Sequence, residues 1–189
     1  TLILRKLKGL EDMIGVSVVN HYMGSDGWTF HEGDGVIPDP IHDAEFLHQV
    51  YTAADPSFTG RVTVPVLWDV ETQRIVNNES SEIIRMLNSS FNAFTDDQTD
   101  YYPLSLRPEI DAINDFVYDR INNGVYKCGF ATTQRAYERA FRALFDALDQ
   151  LEERLHHQRY LVGNRLTEAD WRLFTTLVRF DAVYYGHFK

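Results

Sequence analysis

The stretch from Val62 to Phe91, VTVPVLWDVETQRIVNNESSEIIRMLNSSF, constrains the fold most, because its hydrophobic period changes within one short run. Val62, Val64 and Val66 alternate with Thr63, Pro65 and Leu67, the period-two pattern of a strand. Asp69 to Arg74 is polar and turn-like, and Arg74-Ile75-Val76 reads as a short return strand. Asn77 or Asn78 then caps a helix whose first turn holds Glu79, Ser80, Ser81 and Glu82. Its apolar residues Ile83, Ile84, Leu87 and Phe91 are spaced as one buried face, with Met86 at the edge. Strand, turn, strand and amphipathic helix in succession predict a mixed α/β layer.

The same stretch suggests a binding chemistry. Proline cannot donate to a ladder, so Pro65 marks a strand edge or a place where backbone is left unpaired. The N–H and C=O of Val64 are then free to pair with an extended peptide. Free N–H groups at the start of the next helix, with the Ser80 hydroxyl, suit a carboxylate, and Glu79 suits an ammonium. Together they fit the zwitterionic end of a γ-glutamyl peptide. An edge-strand proline followed by an ordinary helix start fits the spacing equally well, and both readings stay open on these residues alone.

Ahead of this unit, Thr1 to Gly9 reads as a helix with Gly9 at its C-cap, and Ile14 to Val19 as a short buried strand. From Asn20 to Asp43 the chain is loop-rich, and Trp28 is an aromatic that can pin this loop to its domain. His31, Glu32, Asp34, Asp39, His42 and Asp43 lie here, but their spacing matches no metal-ligand pattern, so no metal is expected. Asp43 to Ala54 predicts a helix with Phe46, Leu47 and Val50 inward, ended by Asp55-Pro56. The polar, proline-terminated TDDQTDYYP places a linker over 95–103, between domains at 1–94 and 104–189.

The second domain is helical throughout. Ile110, Ile113, Val117 and Ile121 form one stripe. Tyr137, Phe141, Leu144, Leu148, Leu151 and Leu155 predict a long helix from about Thr133 to His157. Thr167 and Asp170 form a capping box for the next helix, whose core face is Leu173, Leu177, Phe180 and Tyr184. Between the stripes, Asn122 to Phe130 (NNGVYKCGF) interrupts the helical pattern. It places the phenol of Tyr126 at a helix-to-loop junction, facing the first domain. Cys128, the single cysteine, lacks a Cys-Pro context and a helix start directly after it, and it reads as a half-buried core residue rather than a nucleophile.

Composition narrows the partners. A net charge of −10 argues against nucleic acid and anionic membrane, which call for clustered Lys and Arg. No apolar run approaches the ~20 residues of a membrane span. One cysteine fits a reducing, cytoplasmic setting. The chain opens at Thr1 inside a helical pattern and stops abruptly at Lys189, so the expectation is a fragment, with the helical domain incomplete at its end.

The strings VPVLWD and IVNNESSEIIRMLN resemble the N-terminal domain of the glutathione transferases, and more narrowly that of the glutathionyl-hydroquinone reductases, or Xi-class transferases. TLILRKLKGLE, GWTF, NNGVYKCGFATTQRAYE and YLVGNRLTEADWRLFTTLVRFDAVYYGHFK are similar to the same family, so the resemblance covers nearly the whole chain. It implies an α/β thioredoxin-like domain lacking its first strand, followed by an all-α C-terminal domain. It also implies a cis-proline at Pro65, glutathione held by Trp28, Val64, Pro65, Glu79 and Ser80, and Tyr126 hydrogen-bonding or protonating an oxygen of the quinol. The family's nucleophile lies in a Cys-Pro-Trp-Ala-His-Arg motif directly before a Thr-Leu-Ile, which puts the cysteine upstream of Thr1. The implied reaction is glutathione-dependent reduction of glutathionyl-hydroquinones through a cysteine–glutathione mixed disulfide, in a homodimer. Tyr184 and Tyr185 are secondary candidates for the aromatic pocket. An omega-like thiol transferase, a non-catalytic glutathione-binding module, or use of another small thiol remain alternatives.

Overall fold

Helix α1 (Leu2–Leu7) ends in two bonds, Gly9 N–H to the Lys6 carbonyl and Leu10 N–H to the Arg5 carbonyl. That pairing is a Schellman motif, and Gly9 supplies the positive φ of 61° it requires. A computed structural model of the chain describes residues 1–187. Phe188 and Lys189, the end of the last resembling string, lie outside the described residues. Two units divide the chain, Thr1–Gln98 and Thr99–Lys189.

In the first unit α1 is followed by a long irregular segment, then α2 (Leu47–Ala54), β1 (Leu67–Asp69), β2 (Arg74–Asn77) and α3 (Ser80–Ser89). The two strands pair antiparallel, Trp68 opposite Ile75 and Asp69 opposite Arg74. Their turn is set by the Asp69 carboxylate, which accepts from Glu71 N–H at 2.9 Å and Thr72 N–H at 3.2 Å. Ala44, Leu47, Val50 and Tyr51 form a core onto which Trp28, Phe58, Val62, Val66 and Trp68 pack. Ile83, Ile84 and Leu87 are buried as their spacing predicts.

Two expectations need correction here. Ile14 to Val19 is not a strand: only Val18 pairs, with Ile37. Val18 and Ile37 exchange both backbone bonds, and among the described residues no neighbouring pair adds a further bridge. Val62 to Val66 is likewise outside the sheet, which begins at Leu67. The Thr63 backbone there is engaged by a side chain, the Tyr51 hydroxyl.

The second unit contains α4 (Arg107–Val117), a π-helical turn (Tyr118–Asn122), α5 (Asn123–Gly129), α6 (Gln134–His157), α7 (Glu168–Arg179), a second π-helical turn (Phe180–Tyr184) and the short α8 (Tyr185–His187). Ile110, Ile113, Val117 and Ile121 are buried, and the face continues through Val125 and Cys128. The asparagine-glycine run that reads as a helix breaker is therefore helical. Gly124 is the reason it can be: a β-carbon there would lie 3.3 Å from Leu144 Cδ1 of α6, so the absent side chain admits close packing of α5 on α6. Thr133 caps α6 by accepting from Ala136 N–H at 3.2 Å. The expected capping box starts α7: Asp170 accepts from the Thr167 N–H at 2.9 Å, and its other oxygen accepts from Leu161 N–H at 2.8 Å. Among the described residues no helix is long and apolar enough to cross a membrane.

An α/β unit of helix, helix, two strands and helix, with a single bridge at Val18 where a further strand was expected, followed by an all-helical unit, is a thioredoxin-like arrangement followed by a helical domain.

Candidate functional site

Two groups of side chains answer to the chemistry read from the sequence, one in each unit. In the first, the Val64–Pro65 peptide bond is cis. Val64 is 48% exposed, and among the described residues its N–H and C=O have no hydrogen-bond partner. That leaves main chain available to an extended ligand.

Glu79 and Ser80 form the start of α3. The cap of this helix is Glu79 itself, not Asn77 or Asn78 as the run of polar residues suggests. Glu79 Oε1 accepts from Ser81 N–H at 3.1 Å, from the Ser81 hydroxyl at 3.1 Å and from the Ser80 hydroxyl at 3.4 Å. Asn77 supports the cap from outside: its Oδ1 accepts from Glu79 N–H at 2.7 Å, and its amide donates to Glu82. Asn78 has been recruited elsewhere, to the hydroxyl of Tyr51. An exposed acid and hydroxyl thus sit side by side at the positive end of a ten-residue helix.

Trp28 is half-buried against the first unit's core, and its carbonyl accepts from Leu47 N–H at 2.9 Å at the start of α2. The loop around it is tied down by the bridge between Thr29 and Phe46. The acids and histidines of this loop serve the chain locally. Asp39 accepts from the N–H groups of Ile41 and His42 and lies 3.0 Å from the His42 ring. Among the described residues no three His, Cys, Asp or Glu side chains come together as a metal site.

In the second unit Tyr126 lies within α5, 43% exposed. Its hydroxyl is 3.2 Å from that of Tyr184, with the rings edge-to-face at 5.6 Å, and Phe130 stacks on its other side at 6.2 Å. Tyr184 is 5% exposed, and burial, then the bond to Tyr126, push its phenol up to about 12. Tyr185 is largely exposed. Cys128 is buried in the core and burial raises its thiol, while the neighbouring Lys127 ammonium bonds Asp119 at 2.7 Å. A thiol held protonated, with its adjacent cation committed elsewhere, is a poor nucleophile.

The pairing of Tyr126 with Tyr184 and the role of Tyr51 were not legible beforehand. Tyr184 had a faint signal as one of two tyrosines on the closing helix. Tyr51 had none beyond its place on an amphipathic helix.

The sequence pattern of the glutathione S-transferase N-terminal domain matches residues 1–90, and that of the C-terminal domain matches residues 134–189. The chain is 65% identical over 188 residues to the glutathionyl-hydroquinone reductase PcpF of Sphingobium chlorophenolicum, covering 100% of this chain and 60% of that one. The glutathione-bound structure of YqjG from Escherichia coli K-12 superposes with a TM-score of 0.96 at 56% identity, over 99% of this chain and 61% of that one. The Xi glutathione transferase ECM4 of Saccharomyces cerevisiae, solved in complex with glutathione, superposes with a TM-score of 0.91 at 40% identity, over 99% of this chain and 70% of that one. The chain belongs to the glutathione S-transferase family, and within it to the Xi class. It spans about 60% of the length of the curated reductase it matches.

Proposed function

We propose that this chain carries the glutathione site and part of the aromatic-substrate site of a glutathionyl-hydroquinone reductase. The observation that carries the reading is the conjunction of unpaired Val64 backbone with the Glu79–Ser80 helix start in one unit. Val64 pairs with the peptide backbone of glutathione. Ser80 and the helix N-terminus take its γ-glutamyl carboxylate, and Glu79 takes the ammonium. Pro65 and Trp28 border the site. The identity to PcpF and to the glutathione-bound YqjG supports the same assignment.

In this reading a cysteine thiolate attacks the sulfur of a glutathionyl-hydroquinone. The bond from sulfur to the ring carbon breaks, its electron pair passes to the ring, and the ring gains a proton as hydroquinone leaves. Tyr126 hydrogen-bonds a quinol oxygen while this happens. The enzyme–glutathione mixed disulfide is then attacked by the thiolate of a second glutathione, releasing oxidised glutathione and restoring the enzyme thiolate. The buried Cys128 is not assigned the role of nucleophile, which the family resemblance gives to a cysteine upstream of Thr1. A cytoplasmic location and a homodimer belong to the same reading, the first supported by the single cysteine and the second by the family resemblance.

The test is calorimetric titration of glutathione into the native gene product and its Glu79→Ala variant. Loss of the carboxylate weakens binding by roughly tenfold or more, the scale of one charged hydrogen bond. Unchanged affinity would remove Glu79 from the site. Hydroquinone release from a glutathionyl-hydroquinone, followed in the same protein, tests the reaction.

A further inference from the structure

We propose that Tyr51 is the positioning residue of the thiol-peptide site, its hydroxyl holding the Thr63 main chain and the Asn78 side chain in the arrangement that presents Val64 and Glu79–Ser80 to one ligand. The inference rests on the glutathione site proposed above. Tyr51 lies on α2, 3% exposed, outside both segments assigned to the ligand.

A phenol has one proton and two lone pairs. Here all three are used. The proton goes to the Thr63 carbonyl at 2.8 Å, while the oxygen accepts from Thr63 N–H at 3.2 Å and from Asn78 Nδ2 at 3.1 Å. Binding both backbone groups of a single residue is what a partner residue does in an antiparallel ladder. The phenol therefore stands in for a strand along the inner edge at Thr63. In an extended chain successive residues turn their backbone groups to opposite edges, so closing the inner edge at Thr63 directs the groups of Val64 outward. That is where they are found unpaired.

The third bond reaches the other half of the site. Asn78 immediately precedes the cap residue Glu79, so the bond from its amide to Tyr51 fastens the start of α3 to the same oxygen that fastens Thr63. Asn78 is exposed and its amide lies 3.3 Å from Thr63 Oγ1 as well. One oxygen thus sets the spacing between the backbone that pairs with the peptide and the carboxylate that takes its ammonium. A tyrosine present only to fill the core would serve as well without its hydroxyl.

The experiment compares the native gene product with Tyr51→Phe, Asn78→Ala and Asn78→Asp. Tyr51→Phe keeps the ring and is expected to raise the Kd and KM for glutathione about tenfold, with kcat at saturating glutathione held within about twofold, the signature of lost binding without lost chemistry. Asn78→Ala, at an exposed position, raises KM about threefold, and Asn78→Asp more, because an acceptor then faces an oxygen whose only proton is committed. Hydrogen exchange at the Thr63 amide quickens in Tyr51→Phe at a temperature where the protein remains folded. Wild-type protein that binds glutathione, with all three variants binding it equally, overturns the role of Tyr51 and leaves the site standing. Wild-type protein that binds no glutathione overturns the site, and the role with it. Should Tyr51→Phe fail to fold, the two Asn78 variants decide between the same outcomes.

Discussion

The hydroxyls of Tyr126 and Tyr184 lie 3.2 Å apart, and burial separates the two: Tyr184 is enclosed by the core of its unit while Tyr126 is open to solvent. The enclosed Tyr184 is held in place by the packing around it, and so serves as the fixed partner of the exposed hydroxyl. A phenol that is fixed by a buried neighbour and stacked on Phe130 presents its oxygen in one direction.

The pair has a measurable titration. The Tyr184 phenol is raised from 10.0 to about 12, burial being the main cause. A raised value in the folded state means that the folded protein keeps a proton which the unfolded chain gives up. The stabilisation is complete below pH 10 and is lost as pH rises from 10 towards 12, by an amount on the order of 2 kcal/mol. Ultraviolet titration of tyrosinate should show one phenol lagging the rest. Denaturation followed across that window should lose its steep alkaline limb in Tyr184→Phe, and an unchanged limb would assign it to other groups.

Cys128 should behave as a core side chain. With the thiol buried and its ionisation suppressed, native alkylation by iodoacetamide is expected to be at least tenfold slower than in denatured protein. Under the function proposed above Cys128→Ala retains hydroquinone release, and it should cost about 1 kcal/mol in stability, the scale of a small core truncation. Release abolished by this substitution would make Cys128 the nucleophile.

Asp170 is placed to stabilise rather than to react. Its carboxylate joins Thr167 at the start of α7 to the chain at Leu161, so Asp170→Ala strands two N–H groups at once. A loss of about 2–3 kcal/mol, read by urea denaturation, is expected, since capping and bridging bonds are removed together. Glutathione affinity of the folded variant should be unaffected.

Gly124 tests how closely α5 meets α6. Gly124→Val puts branched carbons where even a β-carbon would stand 3.3 Å from Leu144, and should destabilise by about 1–3 kcal/mol. Leu144→Ala opens the same space. The double substitution should therefore cost less than the sum of the two single ones, an interaction read from a double-mutant cycle.

Helix ends set by near neighbours were the most readable features. The Thr167–Asp170 box at α7 and Gly9 after α1 are recognised because cap and target lie within a few residues of one another. The buried faces of α3 and α4 were readable for the same reason, since side chains three or four apart share a face whatever the helix later meets. Where several polar residues stood in a row the same rules lost their power. Asn77 and Asn78 are both capping types, yet Glu79 takes the cap, with Asn78 engaged by Tyr51 twenty-seven positions away.

By itself, then, the sequence determined an α/β segment ahead of a helical one, the extent of the long helices, and the residues Val64, Pro65, Glu79 and Ser80 as a candidate site. Each of these follows from patterns that repeat over two to four residues or from strings shared with a family. Tertiary structure alone decided that Val18 bridges to Ile37 without becoming a strand, that Asn122 to Gly129 is helical, and that Tyr126 meets Tyr184. It also decided that Tyr51 closes the inner edge of Thr63. A backbone group or a phenol can accept many partners of equal chemistry, and which one it takes depends on what the folded chain brings within about 3 Å of it.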